Sequence, residues 1–255
     1  MARRIASLDG VRFDGESILV LPLGAHEQHG THLPFETDTI IAEAVTDRLL
    51  ARLDDLSVLA LPAEPIGYSP EHMDWPGTRS FAYGEAVERW CGIGERAAAA
   101  GCRRMLLLNA HGGNAPLTAI VAQELRRRVA MLCVATAWTR FVGAQVVGER
   151  ERAFGIHGGD VETSVMLAVA PVRVGEGADH RKLQEVLARD FRHLRAYGPH
   201  AFGWLMGDLN PAGTVGDAAA ATADKGERLL DEAVTGLAEL CREIARFDMR
   251  LLRDG

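Results

Sequence analysis

The stretch of residues 24–38 restricts what this chain can fold into more than any other part of the sequence. It follows an apolar run at residues 17–23, which has the length of a buried strand and ends at a glycine. In an open parallel sheet, ligand sites form at the carboxyl ends of the strands, because the loops there leave a crevice. This one strand-to-helix connection carries a set of nitrogen and oxygen donors: Glu27, His29, His32, Glu36 and Asp38. The sequence therefore predicts a metal site at the edge of a sheet.

The donor types in this connection favour one group of ions. Imidazole together with carboxylate suits borderline divalent ions such as zinc, manganese, iron or cobalt, whereas carboxylates alone favour magnesium or calcium. Glu27 and His29 are two positions apart, so in an extended chain their side chains point the same way and Gln28 points to the other face. Asp38 has two carboxylate oxygens with which to bridge two ions. The alternative for Asp38 is a cap on the helix that begins near Thr39, and the two roles do not exclude each other.

Composition places the chain among globular proteins and excludes several functions. Its 255 residues are 47% hydrophobic and 25% charged, which predicts one α/β domain over residues 1–255. A formal net charge of -7 gives nucleic acid no attraction. The amino terminus lacks the apolar core of a signal peptide, and no apolar run approaches the roughly 20 residues of a membrane span. The four cysteines lack paired spacing and fit reduced packing residues, so we expect a cytoplasmic protein. From the charge and the short apolar runs, we expect it to bind neither nucleic acid nor membrane.

A second group of candidate ligands follows another predicted strand. The apolar run at residues 103–110 leads to His111, which is followed by Gly112 and Gly113 and then by a predicted helix over residues 115–129. The two glycines let a ligand approach the backbone closely, and the helix start offers free amide groups to an anion. Because His111 follows the carboxyl end of a strand, we expect it at the same sheet edge as the first loop.

A third segment, residues 155–167, carries His157 and Glu162 near the start of an apolar helix. Taken alone, Glu162 is explained by the favourable interaction of an acidic side chain with a helix amino terminus, and Asp160 by a helix cap. Taken together with the two strand-end loops, the segment offers a further imidazole and a further carboxylate to the same site.

Two regions are candidates for the wall of a substrate pocket. The connection over residues 63–80 is too long for a plain turn, and its Tyr68 and His72 argue against disorder. It either folds over the first loop and lines a pocket or forms a surface loop at a subunit contact. Trp138 ends a predicted strand over residues 131–138, where an aromatic ring can stack on a planar ligand or be half-buried at the sheet end.

The remaining apolar periodicity predicts the elements that surround these loops. A further strand is expected over residues 57–62. Helices are expected over residues 39–53, 81–100, 142–153, 180–195 and 218–252. No internal repeat, low-complexity segment or linker divides the chain, so a single domain remains the prediction.

The three donor-bearing segments, in this order, resemble the creatininase family of metal-dependent amidohydrolases. The matching patterns are Glu27-Gln-His29 to Asp38, Asn109-Ala-His111-Gly-Gly-Asn114 and His157-Gly-Gly-Asp-Val-Glu162. The resemblance implies a three-layer α/β/α domain with a mostly parallel central sheet, assembled as a homohexamer. It also implies two divalent ions per subunit, with zinc, manganese or iron as candidates. Carried over by position, one ion is held by Glu27, Asp38 and His111, and the other by His29 and the shared Asp38.

Several positions depart from the creatininase pattern. True creatininases have a tyrosine and a metal-binding glutamate where this chain has Gly112 and Gly113. The second ion therefore needs another carboxylate, for which Glu162 is the candidate. True creatininases also have a glutamate and a tryptophan where this chain has Ile156 and Ala153. Creatinine itself is therefore not the expected substrate.

The expected reaction is hydrolysis of a C–N bond in a small, cyclic amide. Two neighbouring divalent ions lower the pKa of a water molecule and polarise a carbonyl group for attack. Asp38 is expected to be catalytic through its bridging position, and His157, outside the implied ligand set, to supply the proton for the leaving nitrogen. The expected substrate-binding residues are Trp138, which matches a substrate-packing tryptophan of creatininases, together with Tyr68, His72, Gly112 and Gly113.

The sequence leaves other functions open. The family implied by the resemblance also includes a formamide-cleaving deformylase and a peptidase that acts on a modified peptide, and a sugar-derived substrate is compatible with the same site. Two ions polarise any carbonyl, so an isomerase or an aldolase is an alternative reaction class. A catalytically inactive metal-binding or ligand-binding protein would use the same loops, although the complete set of five ligands favours an active enzyme.

Overall fold

The computed structural model describes residues 1–143 and 145–252. Its centre is a sheet of five strands in the order β1-β3-β2-β4-β5. The strands are β1 (Arg3–Arg4), β2 (Ile18–Leu23), β3 (Val58–Ala60), β4 (Arg104–Asn109) and β5 (Leu132–Ala137). Every described strand pair is parallel, so the carboxyl ends of all five strands lie along one edge of the sheet.

Eight α-helices are present in residues 1–143 and 145–252. They are α1 (Thr37–Ala51), α2 (Tyr83–Ala99), α3 (Ala115–Val129), α4 (Glu149–Phe154), α5 (Asp160–Val169), α6 (Lys182–Asp190), α7 (Met206–Leu209) and α8 (Ala223–Arg246). Short 3-10 turns, including Pro70–His72 and Gly112–Asn114, lie between them. None of the described helices combines the length and the apolar character needed to span a bilayer.

The strands are buried on both faces because helices cover both sides of the sheet. In β2, Ile18 and Val20 belong to the apolar cluster that includes side chains of α1, α5 and α8. Leu19 and Leu21 belong to the opposite cluster, which includes side chains of α2 and α3. Successive side chains of a strand point to opposite faces, and a strand covered on both faces is apolar throughout. These two clusters confirm the predicted three-layer α/β/α class with a parallel central sheet.

Most predicted elements are present with small shifts at their ends. The helix predicted over residues 115–129 has those bounds, and Ala130 ends it in a left-handed conformation with φ 53. Helix α1 begins at Thr37 instead of residue 39, which places Asp38 inside its first turn. Strands β2, β4 and β5 lie within the apolar runs that predicted them.

Four parts of the sequence prediction are wrong. The helix predicted over residues 180–195 is limited to α6, because Phe191 leaves the helical conformation. The helix predicted over residues 142–153 is limited to α4, which begins after Gly148; Ala144, which falls in this prediction, lies outside the described residues. The helix predicted over residues 218–252 is limited to α8, because Thr222 caps its start by accepting a hydrogen bond from the Lys225 backbone N–H and Phe247 leaves the helical conformation. The two-residue strand β1 was not predicted, since so short a strand has no periodicity.

Residues 171–221 form an irregular layer that packs against the loop after β2. The backbone N–H of Gly175 donates to the His32 carbonyl oxygen (2.7 Å), and the Gln28 side-chain amide donates to the Gly213 carbonyl oxygen (2.7 Å). A small apolar cluster holds the layer together: Leu187, Ala196, Met206, Leu209 and Val215. The layer therefore closes one side of the predicted site.

Candidate metal centre

The predicted ligands meet at the carboxyl edge of the sheet, where β2 and β4 end side by side. Leu23 of β2 is in register with Asn109 of β4, so the loops that follow these strands start at the same level. Glu27 and His29 lie in the loop after β2, and Asp38 lies in the first turn of α1. His111 lies in the loop after β4. His157 lies in the loop before α5, and Glu162 lies in the first turn of α5. The parallel sheet thus brings together donors that are distant in sequence.

Glu27, Asp38 and His111 form what we call the first ligand cluster. His111 Nδ1 lies 3.2 Å from Glu27 Oε1 and 3.4 Å from Asp38 Oδ2. One donor atom from each residue lies within 4.8 Å of the others. All three side chains are buried. The cluster has the composition that the family resemblance implied for the first ion.

His29, His157 and Glu162 form the second ligand cluster, whose donor atoms also lie within 4.8 Å of one another. Asp38 stands between the clusters, because its Oδ1 is 3.6 Å from His29 Nε2 while its Oδ2 faces His111. Glu162 therefore lies beside His29, as the sequence analysis expected. His157, which was expected outside the ligand set, lies among the candidate donors.

Four donor atoms of these clusters are buried without a hydrogen-bond partner. They are both carboxylate oxygens of Glu27, Oδ2 of Asp38 and Nε2 of His29. A buried polar atom left unpaired costs roughly 1–3 kcal/mol, and more when it is charged. Divalent cations would satisfy these oxygen and imidazole donors together, so the residues present fit such ions. The helix-cap alternative does not hold for Asp38, because the N-cap of α1 is Glu36.

Each cluster histidine is oriented by a backbone carbonyl on the side away from the clusters. His29 Nδ1 donates to the Glu27 carbonyl oxygen (3.0 Å), His111 Nε2 to that of Tyr68 (2.9 Å), and His157 Nε2 to that of Gln28 (2.7 Å). Since these nitrogens carry the ring hydrogen, the opposite nitrogen of each neutral ring presents a lone pair to the clusters. Metal-binding histidines are characteristically oriented in this way.

The charged groups of the clusters shift one another's pKa. Burial alone would lower the pKa of His29, but the carboxylates around it, Asp38 foremost, raise it to about 9. Burial is likewise outweighed at His111, where Glu27 and Asp38 hold the pKa well above its ordinary value. Burial raises the pKa of Glu162 to about 7. Cations that bind here would displace the protons that these groups hold.

Two imidazoles of the site are held neutral instead. Burial and the neighbouring His29 and His72 hold the pKa of His157 well below its ordinary value. Burial lowers the pKa of His72 to about 4. The His157 ring lies between the other two, with centroids 4.2 Å from His29 and 4.3 Å from His72. A neutral imidazole has one donor and one acceptor nitrogen, so its tautomer decides what it can bind.

A cavity of about 620 Å³ opens onto both ligand clusters. Its volume is in the range of small-molecule sites. Four of the predicted substrate-binding residues line it: His72, Gly112, Gly113 and Trp138. Tyr68 is placed differently, because it packs against the apolar cluster beneath α2 and α3 and its backbone carbonyl holds His111. The structure thus gives Tyr68 a part in orienting a candidate ligand.

Gly113 has no room for the glutamate that creatininases have at this position. A Cβ atom there would overlap the Tyr68 carbonyl oxygen and lie 2.5 Å from His111 Nε2. The Glu71 carboxylate lies on the same side, with Oε1 3.1 Å from that Cβ position, and burial raises the pKa of Glu71. Glu71 was not predicted from the sequence, although its position next to His72 in a long loop was an available signal.

The fold and the site define a class before any relative is considered. A three-layer α/β/α protein with buried carboxylates and imidazoles at the carboxyl edge of a parallel sheet offers a site for divalent ions, which can activate water and polarise a carbonyl group. Comparison with known proteins gives the family. Residues 9–241 match the creatininase family, described as creatinine amidohydrolase, and the chain belongs to this family.

Two relatives show the activities found among similar sequences. The chain is 33% identical to the mycofactocin precursor peptide peptidase of Mycobacterium ulcerans, over 85% of this chain and 81% of that protein. It is 29% identical to the creatinine amidohydrolase of Pseudomonas putida, over 90% of each. Both relatives are named as enzymes that cleave amide bonds, so this chain is an amidohydrolase of the creatininase family.

Solved structures agree with this assignment. A crystal structure of creatinine amidohydrolase superposes with a TM-score of 0.72 at 27% identity and covers 92% of each chain. A creatininase described with manganese has a TM-score of 0.70 at 27% identity, covering 90% of this chain and 91% of that chain. A mutant creatininase of Zn-Zn type has a TM-score of 0.69 at 26% identity with the same coverage. Divalent metals therefore occur in proteins that share this fold.

Proposed function

We propose that this protein is a dinuclear metal-dependent amidohydrolase that cleaves the C–N bond of a small, cyclic amide. The observation that supports it best is the set of unpaired donor atoms on Glu27, His29 and Asp38, buried where the two ligand clusters meet. Two clusters that share one carboxylate suit a pair of ions, whereas one ion would leave part of this set unsatisfied.

In this proposal the first ligand cluster would hold one ion, and His29 and Glu162 would hold the other. Asp38 would contribute to both sites, since its two oxygens face different clusters. Zinc, manganese or iron suits the mixed imidazole and carboxylate donors. When bound, such a pair supplies an activated water and a polarised carbonyl group. The chain itself must orient the substrate and move the proton.

We assign the proton transfer to His157. Its Nδ1 lies 3.5 Å from Glu27 Oε1, and one of its ring nitrogens lies within 4.8 Å of donor atoms of His29 and Glu162, so the ring adjoins both clusters. Because Nε2 donates to the Gln28 carbonyl oxygen, Nδ1 is an acceptor in the neutral ring. It would accept a proton from the attacking water and pass it to the leaving nitrogen.

The cavity favours a small substrate. Trp138 lines it but is 2% exposed and packs in the core cluster, so it forms an apolar part of the wall without an open ring face. The Cβ position of Gly112 has open space around it, so a substrate can approach the backbone there. These features support a cyclic amide, such as a lactam or a cyclic urea, more than a bulky chain.

Hydrolysis of a short peptide is the second candidate, and two arginines support it. Arg140 and Arg152 line the cavity and are exposed. Neither forms an ion pair with a carboxylate in the described part of the chain, in contrast to Arg150, which pairs with Glu185. Guanidinium groups bind carboxylates well, and a peptide terminus is a carboxylate. The peptidase name of the relatives agrees with this alternative.

The test combines metal content with hydrolysis. The protein is stripped of metal, reloaded with zinc, manganese or iron(II), and assayed against lactams, cyclic ureas, formamides and short peptides. We expect two ions per chain and turnover of a cyclic amide that chelation abolishes. Turnover confined to peptides with a free carboxyl terminus would favour the second candidate. Full activity of the metal-free protein would refute both.

A His157→Gln variant tests the proton-transfer assignment. If His157 moves the proton, the variant keeps both ions and kcat falls by roughly 10²–10⁴-fold. If the variant binds only one ion, His157 is a ligand of the second ion and the assignment is wrong. Metal content measured on the same sample as the rate separates these outcomes.

We also propose that the protein works as a homohexamer, as the family resemblance implies, and that it is located in the cytoplasm, as its unpaired cysteines suggest. Large exposed apolar side chains such as Val172 and Tyr197 offer contact surface for such an assembly. Light scattering on the purified protein should give a mass about six times that of one chain. A monomer at micromolar concentration would contradict the assembly without affecting the site.

A further inference from the structure

His72 differs from the other histidines of the site in what holds its outer nitrogen. It ends the 3-10 turn Pro70–His72 and is buried. Its Nδ1 lies 2.8 Å from Gln28 Nε2, and its Nε2 points toward the clusters, 3.4 Å from Glu27 Oε1. Distance alone would group His72 with Glu27 and His157 as candidate metal ligands.

The orientation of the Gln28 side chain is fixed by two backbone groups. Gln28 Oε1 accepts a hydrogen bond from the Gly30 backbone N–H (2.8 Å), and Gln28 Nε2 donates to the Gly213 carbonyl oxygen (2.7 Å). A rotated amide would place nitrogen against the N–H and oxygen against the carbonyl, so both bonds would be lost. The group that faces His72 is therefore the amide nitrogen.

An amide nitrogen only donates, so His72 Nδ1 has to accept. The hydrogen of the neutral ring is then on Nε2, the nitrogen that faces the clusters. A doubly protonated ring is excluded by the same contact, because Nδ1–H would face the amide N–H. His29, His111 and His157 have the opposite arrangement, since their outer nitrogens donate to carbonyl oxygens.

No acceptor satisfies the inward N–H of His72 within the described residues. Its contact with Glu27 Oε1 lacks hydrogen-bond geometry, since that oxygen has no hydrogen-bond partner. His72 lines the cavity beside His157, with ring centroids 4.3 Å apart. The Nε2–H is thus available to a substrate atom that accepts a hydrogen bond next to both clusters.

We propose that Gln28 locks His72 in the Nε2–H tautomer and that His72 therefore donates a hydrogen bond to the substrate carbonyl oxygen instead of binding metal. This inference deepens the proposed function and rests on it for the identity of the acceptor. The carbonyl oxygen gains negative charge as the amide is attacked, and a fixed neutral donor stabilises that charge without a proton transfer. Gln28 acts as the positioning residue.

Nuclear magnetic resonance tests the tautomer directly. In protein labelled with ¹⁵N-histidine, long-range ¹H–¹⁵N spectra distinguish a protonated ring nitrogen from an unprotonated one, and the His72→Gln variant assigns the signals. We expect His72 to show protonated Nε2 and unprotonated Nδ1 both before and after loading with zinc. Protonated Nδ1, or loss of the Nε2 proton when zinc binds, would overturn the inference whether or not the protein hydrolyses an amide.

Three variants test the role in catalysis. His72→Ala removes the donor and should lower kcat by on the order of 100-fold while both ions remain bound. His72→Gln keeps an N–H donor at a similar reach and should recover part of that loss. Gln28→Glu places a carboxylate against Nδ1, which should move the ring hydrogen to Nδ1 and lower kcat. Melting curves of all three variants confirm folding.

The outcomes separate this inference from the proposed function. Equal kcat for His72→Ala and the unchanged protein would contradict the donor role while leaving the dinuclear proposal intact. Loss of one ion in His72→Ala would make His72 a ligand and would also contradict it. Failure of the unchanged protein to bind two ions would refute the proposed function. The ring tautomer of His72, measured by nuclear magnetic resonance, would still show whether Gln28 fixes the ring hydrogen on Nε2.

Discussion

The two ligand clusters are built by different parts of the fold. The first, Glu27, Asp38 and His111, is delivered by the ends of two adjacent strands and the first turn of α1, and all of its members are buried. The second depends on α5, which supplies the half-buried Glu162. Helix α5 follows α4 and is not preceded by a strand of the sheet. The strand ends therefore position the first cluster and also His29 of the second, whereas helix packing and the layer over the site position His157 and Glu162.

The contacts of α5 show what holds the second cluster. Asp160, at the start of α5, accepts hydrogen bonds from Ser164 Oγ (2.9 Å) and from Lys225 Nζ (2.6 Å) of α8. Glu162 Oε2 accepts a hydrogen bond from the Gly158 backbone N–H (2.6 Å). The position of Glu162 thus depends on side-chain contacts between two helices. The comparison predicts that the second cluster is easier to disturb without loss of the first.

The largest expected effect follows from removing the carboxylate that both clusters share. Asp38→Ala should bind neither ion tightly and should lose all measurable turnover, because each cluster loses a ligand. Metal content after desalting and the hydrolysis rate measure this effect. Asp47→Ala, an exposed carboxylate on the same helix, is the matched control and should leave both quantities unchanged. Two retained ions in Asp38→Ala would contradict the bridging assignment.

Removing the carboxylate of the second cluster should abolish metal binding there and leave metal binding at the first cluster intact. Glu162→Gln keeps the size of the side chain but removes its charge, so we expect one retained ion and a fall in kcat/KM of roughly 100-fold or more. Glu149→Gln, on the exposed side of α4, is the control. Retention of both ions with normal affinity would place the second ion elsewhere, with Glu71 as the next carboxylate to test.

The pH dependence of metal affinity should differ between the clusters. His29 has a pKa raised to about 9, so below pH 9 an ion must displace its proton, and affinity at the second cluster should fall roughly tenfold per pH unit. Below pH 7 the fall should steepen, because Glu162, with a pKa of about 7, then also holds a proton. At the first cluster the fall should not steepen there, since nearby imidazoles, against the effect of burial, keep the pKa of Glu27 well below its ordinary value.

Competition with a chromophoric chelator from pH 6 to pH 9 measures both affinities. We expect the curve of the second cluster to steepen below pH 7 and the curve of the first cluster not to steepen there. Curves that stay parallel over the whole range would remove this distinction between the clusters.

The smallest expected effect concerns the support of α5. Lys225→Met removes the partner of Asp160, which should loosen the start of the helix and weaken the second ion by roughly tenfold, with no change at the first. Lys182→Met, an exposed lysine on α6, controls for the loss of positive charge. If both ions weaken equally, the clusters are not supported independently.

Sequence alone could predict, for a physical reason, the parallel sheet and the convergence of Glu27, Asp38 and His111 at one edge, whereas their grouping around one ion came from the family resemblance. An apolar run that ends in a loop with histidines and carboxylates places those side chains at a strand end, and adjacent strands in register bring His111 beside Glu27. Glu162 was expected as a ligand only because creatininases have a metal-binding glutamate at the position of Gly113, so this chain needs another carboxylate for the second ion. The structure adds the reason, which is that no side chain fits at Gly113.

Sequence could not predict the parts of the site that depend on loop packing. The Gln28 amide reaches His72 and Gly213, which are far from it in sequence and far from each other. Such contacts have no periodicity, and loop conformation is set by tertiary interactions. The same limit explains why Glu71 was missed and why Tyr68 was expected to line the pocket with its ring.

Anomalous diffraction from crystals loaded with zinc or manganese would locate the bound ions and so test the dinuclear centre itself. We expect two peaks per chain, one within bonding distance of Glu27, Asp38 and His111 and one within bonding distance of His29, Asp38 and Glu162. A single peak, or two peaks that do not share Asp38, would contradict the dinuclear centre and with it the proposed amide hydrolysis.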